Sequence, residues 1–193
     1  MVASLIRQDG LDKGRILSLG AGTLLLQRRL KRGIDNVDIN PYMMNAGWQV
    51  AQDFGGRITT SRASTLDPIE FPDGTYDCVD SAFSLDWSRL GNAQDNKVAD
   101  SERVKILSQI NRVLSDGGAF VLTLSETTLD DERLGRFITA LETNLGFQID
   151  RIRTGKSYGV SRFGTTKRLG WCITARKTGQ LNLESLRLED LEF

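Results

Sequence analysis

Histidine is absent from the 193-residue sequence, and its two cysteines, Cys78 and Cys172, lie far apart. Without histidine, the chain cannot carry a Ser-His-Asp or Cys-His catalytic site or a histidine-ligated metal. The distant cysteines exclude the CxxC motif of redox and zinc proteins. No run approaches the ~18 apolar residues of a transmembrane helix, and the N-terminus lacks the apolar region of a secretory signal. We therefore expect a cytoplasmic protein without a membrane partner.

Charge is balanced overall but unevenly placed along the chain. The sequence has 25 basic and 25 acidic residues, yet the segment 151–177 carries eight basic residues and no acidic one. Such a segment suits an anionic partner, such as a nucleic acid, a phosphate or an acidic protein surface. The alternative, which the overall neutrality favours, is that it pairs with the segment 34–150, where nineteen acidic residues face nine basic ones.

Apolar runs and helical patterns alternate along the chain. Five apolar runs are predicted to be strands, at residues 15–22, 34–40, 57–63, 76–85 and 119–126. Helical spacing of apolar residues is found at 23–33, 41–56, 100–118 and 129–146. A glycine-, serine- and arginine-rich connection separates two late strands, 147–155 and 169–177. The order predicts an α/β fold with a doubly wound, mostly parallel sheet, and the late strands as an antiparallel hairpin at one edge.

The candidate site lies at the carboxyl ends of the first two strands, because such sheets bind ligands where the strand order reverses. The first strand ends in the turn Gly20–Thr23, where glycine allows a tight turn and the following helix start favours a negatively charged group. The second strand ends at Asp38, whose carboxylate can accept hydrogen bonds from a ribose diol. A turn residue or a helix cap is the alternative for Asp38, although Asn40 fits the cap better. Together these strand ends predict an adenosine-containing cofactor.

The same turn argues against other nucleotide-binding α/β enzymes. A dinucleotide fingerprint would need glycine where Leu25 stands, which disfavours NAD and FAD. The Gly-Lys-Ser/Thr sequence of a Walker loop is missing, which disfavours an ATPase.

Four segments of the sequence resemble the successive motifs of one known family. RILSLGAGT, NVDINPYMMNAG, FPDGTYDCVDSAFSL and INRVLSDGGAFVLTL occur in the order found in class I S-adenosylmethionine-dependent methyltransferases, and the resemblance covers roughly residues 14–178. It implies a Rossmann-like seven-stranded sheet with an antiparallel last strand, S-adenosylmethionine as cofactor, and Asp38 as the residue that holds the ribose hydroxyls. The other cofactor-binding residues that we carry over are Gly20, Ala21, Gly22, Thr23, Ile39, Ala63 and Phe83.

The implied activity is methyl transfer to an acceptor that the sequence does not identify. Asp86, after the fourth strand, is the candidate general base, and capping of a helix or turn is its alternative role. Three residues depart from the family pattern: Ser18 stands at a common acidic position, Leu24 at a common third glycine, and Arg62 at a common aspartate beside the adenine. The alternative function is therefore a catalytically inactive methyltransferase-like domain that binds or scaffolds.

We divide the chain into a methyltransferase-like domain at 1–178 and an acidic, leucine-rich tail at 179–193. The apolar residues of the tail predict that it docks on its own domain or on a partner, in a homo-oligomer or in a larger parent protein. The polar segment 91–105 is the candidate lid over the cofactor, because only about fourteen residues precede the first strand.

Overall fold

In the computed structural model, the apolar run Ile16–Leu19 forms strand β1, and all four of its residues are buried. The structure describes residues 2–21, 25–38, 40, 42, 45, 47–60, 71–82, 96–125, 131–161 and 164–191. The other strands are β2 (Asp35–Asp38), β3 (Ile58–Thr60), β4 (Tyr76–Ala82), β5 (Leu114–Ser125), β6 (Phe147–Ser161) and β7 (Gly164–Lys177). The described helices are α1 (Val2–Gln8), α2 (Leu25–Leu30), α3 (Trp48–Phe54), α4 (Asn96–Val113) and α5 (Asp131–Thr143), with short 3-10 helices at Leu11–Lys13 and Leu188–Leu191.

The strands form one sheet in the order β3-β2-β1-β4-β5-β7-β6. Strands β1 to β5 are parallel to one another, and β7 is antiparallel to both β5 and β6. The predicted α/β fold, with seven strands and an antiparallel hairpin at one edge, is confirmed. Within that hairpin β7 lies next to β5, so β6 is the outermost strand. The strand order reverses between β1 and β4, which places the switch point of the sheet beside these two strands.

The hairpin of β6 and β7 is longer than the sequence predicted. The expected connection at 156–168 is wrong, because the two strands pair continuously from Gly155 with Gly170 to Ser161 with Gly164. Glycine lowers the intrinsic preference for a strand, but pairing between two strands overrides it. Among the residues that the structure describes, strand β5 pairs with β7 as far as Ser125 with Gly170. Residues 155–161 and 164–169 therefore extend beyond β5, and we call them the outer ribbon.

Apolar side chains cover both faces of the sheet. On one face, Leu19 and Phe120 belong to a core that also includes buried residues of α4 and α5. On the other face, Val121 and Cys172 pack with Ile6 of α1, a helix that the sequence pattern did not predict. Burying one such aliphatic or aromatic side chain contributes about 1.5–3 kcal/mol, so these two cores hold the strands in place.

The leucine-rich tail lies against its own domain. Leu191 is 0% exposed, and Leu181 and Leu186 are partly buried against the core that includes α4 and α5. The Arg103 guanidinium of α4, itself buried, donates a hydrogen bond to the Leu191 carbonyl oxygen at 3.0 Å. The boundary that we placed after residue 178 stays a prediction.

Helix α4 occupies most of the segment that the sequence suggested as a lid. It begins at Asn96, so residues 96–105 are helical, and residues 91–95 lie outside the described part of the chain. None of the helices in the described ranges combines the length and the apolar character needed to cross a bilayer.

Candidate functional site

The turn after β1 is fixed to the end of β2. Gly20 has a φ of 66°, the left-handed conformation that residues with a Cβ rarely adopt. The Gly20 and Ala21 amides both donate hydrogen bonds to the Val37 carbonyl oxygen, at 2.9 and 3.2 Å. The chain therefore turns at the switch point with its backbone held close to β2. Gly22 and Thr23 lie outside the described residues.

Asp38 ends β2 directly after Val37, beside this turn. Its Oδ1 accepts a hydrogen bond from the Asn40 amide at 2.7 Å, which orients the half-buried carboxylate. The Asn40 Oδ1 in turn accepts a hydrogen bond from the Tyr42 amide at 3.0 Å. Asn40 thus makes the contact of a helix cap, as the sequence suggested, and Asp38 is placed at the carboxyl edge of the sheet where a ligand is expected.

Three buried polar residues lie side by side on β2, β1 and β4, below the Gly20 turn. The strand register pairs Ser18 with Asn36 on one side and with Asp80 on the other. The Ser18 hydroxyl donates to the Asp80 Oδ2 at 3.2 Å, and the Asn36 amide donates to the Gln27 Oε1 at 2.7 Å. All three residues are at most 2% exposed. We call Asn36, Ser18 and Asp80 the polar row.

Within the described part of the chain, two oxygens of the polar row have no hydrogen-bond partner, the Asn36 Oδ1 and the Asp80 Oδ1. A buried polar atom left unpaired costs about 1–3 kcal/mol, and more when it is charged. Burial raises the pKa of the Asp80 carboxyl to about 7, although the hydrogen bond from Ser18 lowers it in part. The polar row therefore offers acceptors to a ligand group that donates hydrogen bonds or carries positive charge.

The sequence interpretation missed Asp80. It noted that Ser18 stands where an acidic residue is common, but the structure supplies a carboxylate at the paired position of the neighbouring strand. The available signal was an aspartate within the apolar run of β4, where a charged residue is costly unless it has a role. Sixty-two residues separate Ser18 and Asp80, so only the strand register reveals the pair.

Several predicted site residues fall outside the described part of the chain, and their roles stay predictions. They are the candidate base Asp86, the cofactor residues Gly22, Thr23, Ile39, Ala63 and Phe83, and the departures Leu24 and Arg62.

A second charged cluster lies at the opposite edge of the sheet. Asp35, at the start of β2, accepts hydrogen bonds from the Tyr76 hydroxyl at 2.7 Å and from the Arg57 amide at 3.1 Å. Arg15 lies 3.2 Å from the same carboxylate. Burial by itself raises the pKa of Asp35, but these hydrogen bonds and the Arg57 charge lower it below its usual value. Because ligands bind at the carboxyl edge, we assign this cluster a stabilising role.

Comparisons with known proteins agree with this geometry. The model of a family described as "Methyltransferase domain" matches residues 17–122, a range that includes most of β1, Asp38 and the polar row. No curated protein sequence matches the chain.

Solved structures with distant sequences share the fold. An S-adenosylmethionine-dependent methyltransferase from Methanosarcina mazei aligns with 18% identity and a TM-score of 0.60, over 86% of this chain and 92% of that one. A 16S ribosomal RNA adenine methyltransferase from Catenulisporales acidiphilia aligns with 15% identity and a TM-score of 0.64, over 91% of each chain. A cyclase aligns with 19% identity and a TM-score of 0.64, over 92% of this chain and 80% of that one.

Proposed function

This chain belongs to the methyltransferase-domain family, and on that premise we propose that it transfers a methyl group from S-adenosylmethionine to an acceptor. The observation that carries the proposal is the position of Asp38. Its carboxylate is oriented at the tip of β2, beside the Gly20 turn and next to the switch point of the sheet. A carboxylate at this place suits the two hydroxyls of a ribose.

The described residues fit this cofactor in three respects. Asp38 offers an acceptor to the ribose hydroxyls, and the left-handed Gly20 lets a ligand approach the backbone closely. The unpaired Asp80 Oδ1 offers an acceptor near the same turn, and the amino acid part of S-adenosylmethionine carries an ammonium group. A cationic ligand group would replace the missing partner of this carboxylate and would favour its charged form.

Methyl transfer depends mainly on the positioning of the acceptor and the cofactor relative to each other. The cofactor supplies a methyl group activated on a sulfonium, and catalysis comes from holding the acceptor in line with it while water is kept out. Asp38 and the Gly20–Ala21 backbone would fix the cofactor at the carboxyl edge. Asp86, which follows β4 in the sequence, is our proposed general base for an acceptor that is protonated at working pH. An acceptor that is already deprotonated would need no base.

Isothermal titration calorimetry with S-adenosylhomocysteine tests the proposal. The unmodified protein should bind, and Asp38→Ala should bind about 10- to 150-fold more weakly, because a hydrogen bond to a charged acceptor is worth about 1.5–3 kcal/mol. Asp73→Ala, an exposed carboxylate of the loop before β4, serves as the matched control and should bind normally. No binding by the unmodified protein at millimolar ligand would overturn the proposal. Equal binding by Asp38→Ala and the control would show that the site is misplaced.

A second candidate function is cofactor binding without methyl transfer. The structural similarity to a cyclase favours considering it, because the same fold there carries a different chemistry. Binding of S-adenosylhomocysteine together with methyl transfer from radiolabelled S-adenosylmethionine to an acceptor pool supports the first function. Binding with no transfer to nucleic acid, protein or small-molecule pools supports the second.

A further inference from the structure

A polar groove lies between α5 and the leucine-rich tail, on the face of the sheet opposite α1. Its volume is about 600 Å³, which is within the usual range of ligand sites. One wall is the flank of α5, and the other includes Ser185 and Asp190 of the tail. At about 1.5 Å per residue, the helix Asp131–Thr143 gives the groove a length of roughly 18 Å.

Hydrogen bonds and apolar packing fix the tail against α5. The Asn144 side chain, which is 6% exposed, donates to the Ser185 Oγ at 2.8 Å and to the Asn182 carbonyl oxygen at 3.2 Å. The Asn182 amide donates to the Asn144 carbonyl oxygen at 2.7 Å, and Leu191 is buried in the core. The tail wall at 185–190 is therefore held at both of its ends, so the groove is preformed and a ligand does not have to order it.

The groove carries more negative than positive charge. Asp131, Glu132 and Asp190 line it, and Arg136 is the basic residue among the described residues of its walls. Within the described part of the chain neither Asp131 nor Asp190 has a salt bridge. Glu132, which is 84% exposed, lies 3.8 Å from the Arg136 guanidinium. The groove therefore attracts positively charged groups.

Arg136 adds a hydrogen-bond donor to the groove. Its Nε is buried and has no acceptor among the residues that the structure describes. Buried donors in folded proteins almost always have an acceptor, so this one favours a ligand that brings an oxygen atom to Arg136. The occupant must then combine positive charge for the carboxylates with an acceptor for the guanidinium.

We propose that this groove binds an extended polypeptide segment that carries lysine or arginine side chains. A length of roughly 18 Å holds five or six extended residues at about 3.3 Å each. A backbone carbonyl of the segment supplies the acceptor for Arg136, and its basic side chains pair with the carboxylates of the walls.

A polyamine is the other cationic ligand to weigh, and it meets only half of these requirements. Its amines would pair with the carboxylates, but it has no oxygen atom for the Arg136 Nε, and its positive charge would be repelled by the guanidinium. A polyanion would bring its charge against the carboxylates of Asp131, Glu132 and Asp190. A basic peptide satisfies both the carboxylates and the buried donor.

Fluorescence anisotropy with a labelled peptide of about six residues, alternating lysine and serine, tests the proposal. The groove variant replaces the three lining carboxylates by amides: Asp131→Asn, Glu132→Gln and Asp190→Asn. The matched control makes the same kind of change at three exposed carboxylates outside the groove: Asp53→Asn, Asp73→Asn and Asp116→Asn. Circular dichroism verifies that each variant is folded before its affinity is compared.

The groove variant should bind the peptide about 3- to 100-fold more weakly at low salt, because it loses three exposed ion pairs, and the control should bind normally. Arg136→Met provides a second test whose sign is decisive. Attraction between charges alone predicts tighter binding, because this variant removes a positive charge from the groove. Loss of the donor to a peptide carbonyl predicts roughly 3- to 10-fold weaker binding, and this is the result that we expect.

Four results would overturn the proposal. They are equal weakening of the groove variant and the control, unchanged or tighter binding by Arg136→Met, displacement of the peptide by spermine as efficiently as by unlabelled peptide, and no binding of the peptide at millimolar concentration.

The inference does not depend on the proposed function, and one measurement separates the two. S-adenosylhomocysteine affinity should be the same in the groove variant and the unmodified protein. Peptide binding without cofactor binding would refute methyl transfer and keep the groove as a docking site. Cofactor binding without peptide binding would refute the groove proposal alone.

Discussion

Replacing Asp80 by asparagine is expected to stabilise the cofactor-free protein at and above neutral pH. The Asp80 carboxyl is 2% exposed, and burial raises its pKa from 3.8 to about 7. Because the folded pKa lies above the unfolded one, folding opposes ionisation of this group. The contribution of Asp80 to the free energy of unfolding is therefore highest below pH 4, falls as the pH rises towards 7, and levels off above it. Three pKa units correspond to a total loss of about 4 kcal/mol.

The pH-dependent loss of stability can be measured as the difference in free energy of unfolding between the unmodified protein and Asp80→Asn. Between pH 5 and pH 8, the unmodified protein should lose roughly 2–3 kcal/mol relative to Asp80→Asn, because asparagine does not ionise. For a chain of this size, that corresponds to a difference in melting temperature of roughly 5–10 °C. Urea denaturation at several pH values gives the free energies of unfolding directly. Asp116→Asn makes the same substitution at a fully exposed carboxylate and controls for the change in net charge.

Two results would refute this reasoning. If the difference in free energy of unfolding between Asp80→Asn and the unmodified protein does not change with pH, the carboxyl is not held in a buried environment. If Asp80→Asn is less stable at every pH, the carboxylate makes a stabilising contact in the free protein, contrary to its unpaired Oδ1. Adding ligands extends the test to the site. Asp80→Asn should weaken the binding of S-adenosylhomocysteine. It should not weaken the binding of 5′-methylthioadenosine, which has no ammonium group.

Three further changes probe the cluster at the opposite edge, the tail and the turn. Asp35→Asn should destabilise the protein at pH 7, and the effect should shrink in acid, because the folded pKa of Asp35 is lowered and its contribution is lost as the pH falls through that folded pKa; urea denaturation over a series of acidic pH values checks this. Leu191→Ala should lower the free energy of unfolding by about 2–4 kcal/mol, whereas Leu188→Ala, at a 41% exposed position, should change it little. Gly20→Ala should lower the free energy of unfolding by about 1–2 kcal/mol, because the φ of 66° at Gly20 disfavours a residue with a Cβ. Calorimetry should show weaker binding of S-adenosylhomocysteine, and normal affinity would contradict the assigned turn.

The parts of the fold that the sequence predicts correctly depend on local patterns. Strand β1 is an apolar run that stops at a glycine, and the turn residue Gly20 needs the left-handed conformation that glycine adopts most easily. The side chains of Asp38 and Asn40 each accept a hydrogen bond from the amide two residues further on, a short-range contact typical of aspartate and asparagine in turns and caps. Residues within a few positions of each other determine all of these features.

The features that the sequence does not predict depend on distant pairings. The outer ribbon is rich in glycine, so its own composition indicates a loop, and only the pairing of β6 with β7 makes it a strand. Asp80 is a similar case. It has strand neighbours on both sides, Ser18 of β1 and Val121 of β5, and a single sequence does not reveal these pairings. Its link to Ser18 is likewise a contact between strands.

Stability and ligand binding oppose each other at Asp80. An apolar residue at this position would remove a buried carboxylate of which only one oxygen is hydrogen-bonded, so we expect the free protein to be less stable with Asp80 than without it. A ligand that brings positive charge to the Oδ1 reverses the effect, because it supplies the missing partner in a place with little competing water. The stabilisation of the protein by such a ligand should therefore increase with pH between about 5 and 8, in parallel with the ionisation of Asp80. A neutral ligand at the same site would gain nothing from the carboxylate, so the sign of this pH dependence distinguishes recognition of the ammonium from simple occupation of the site.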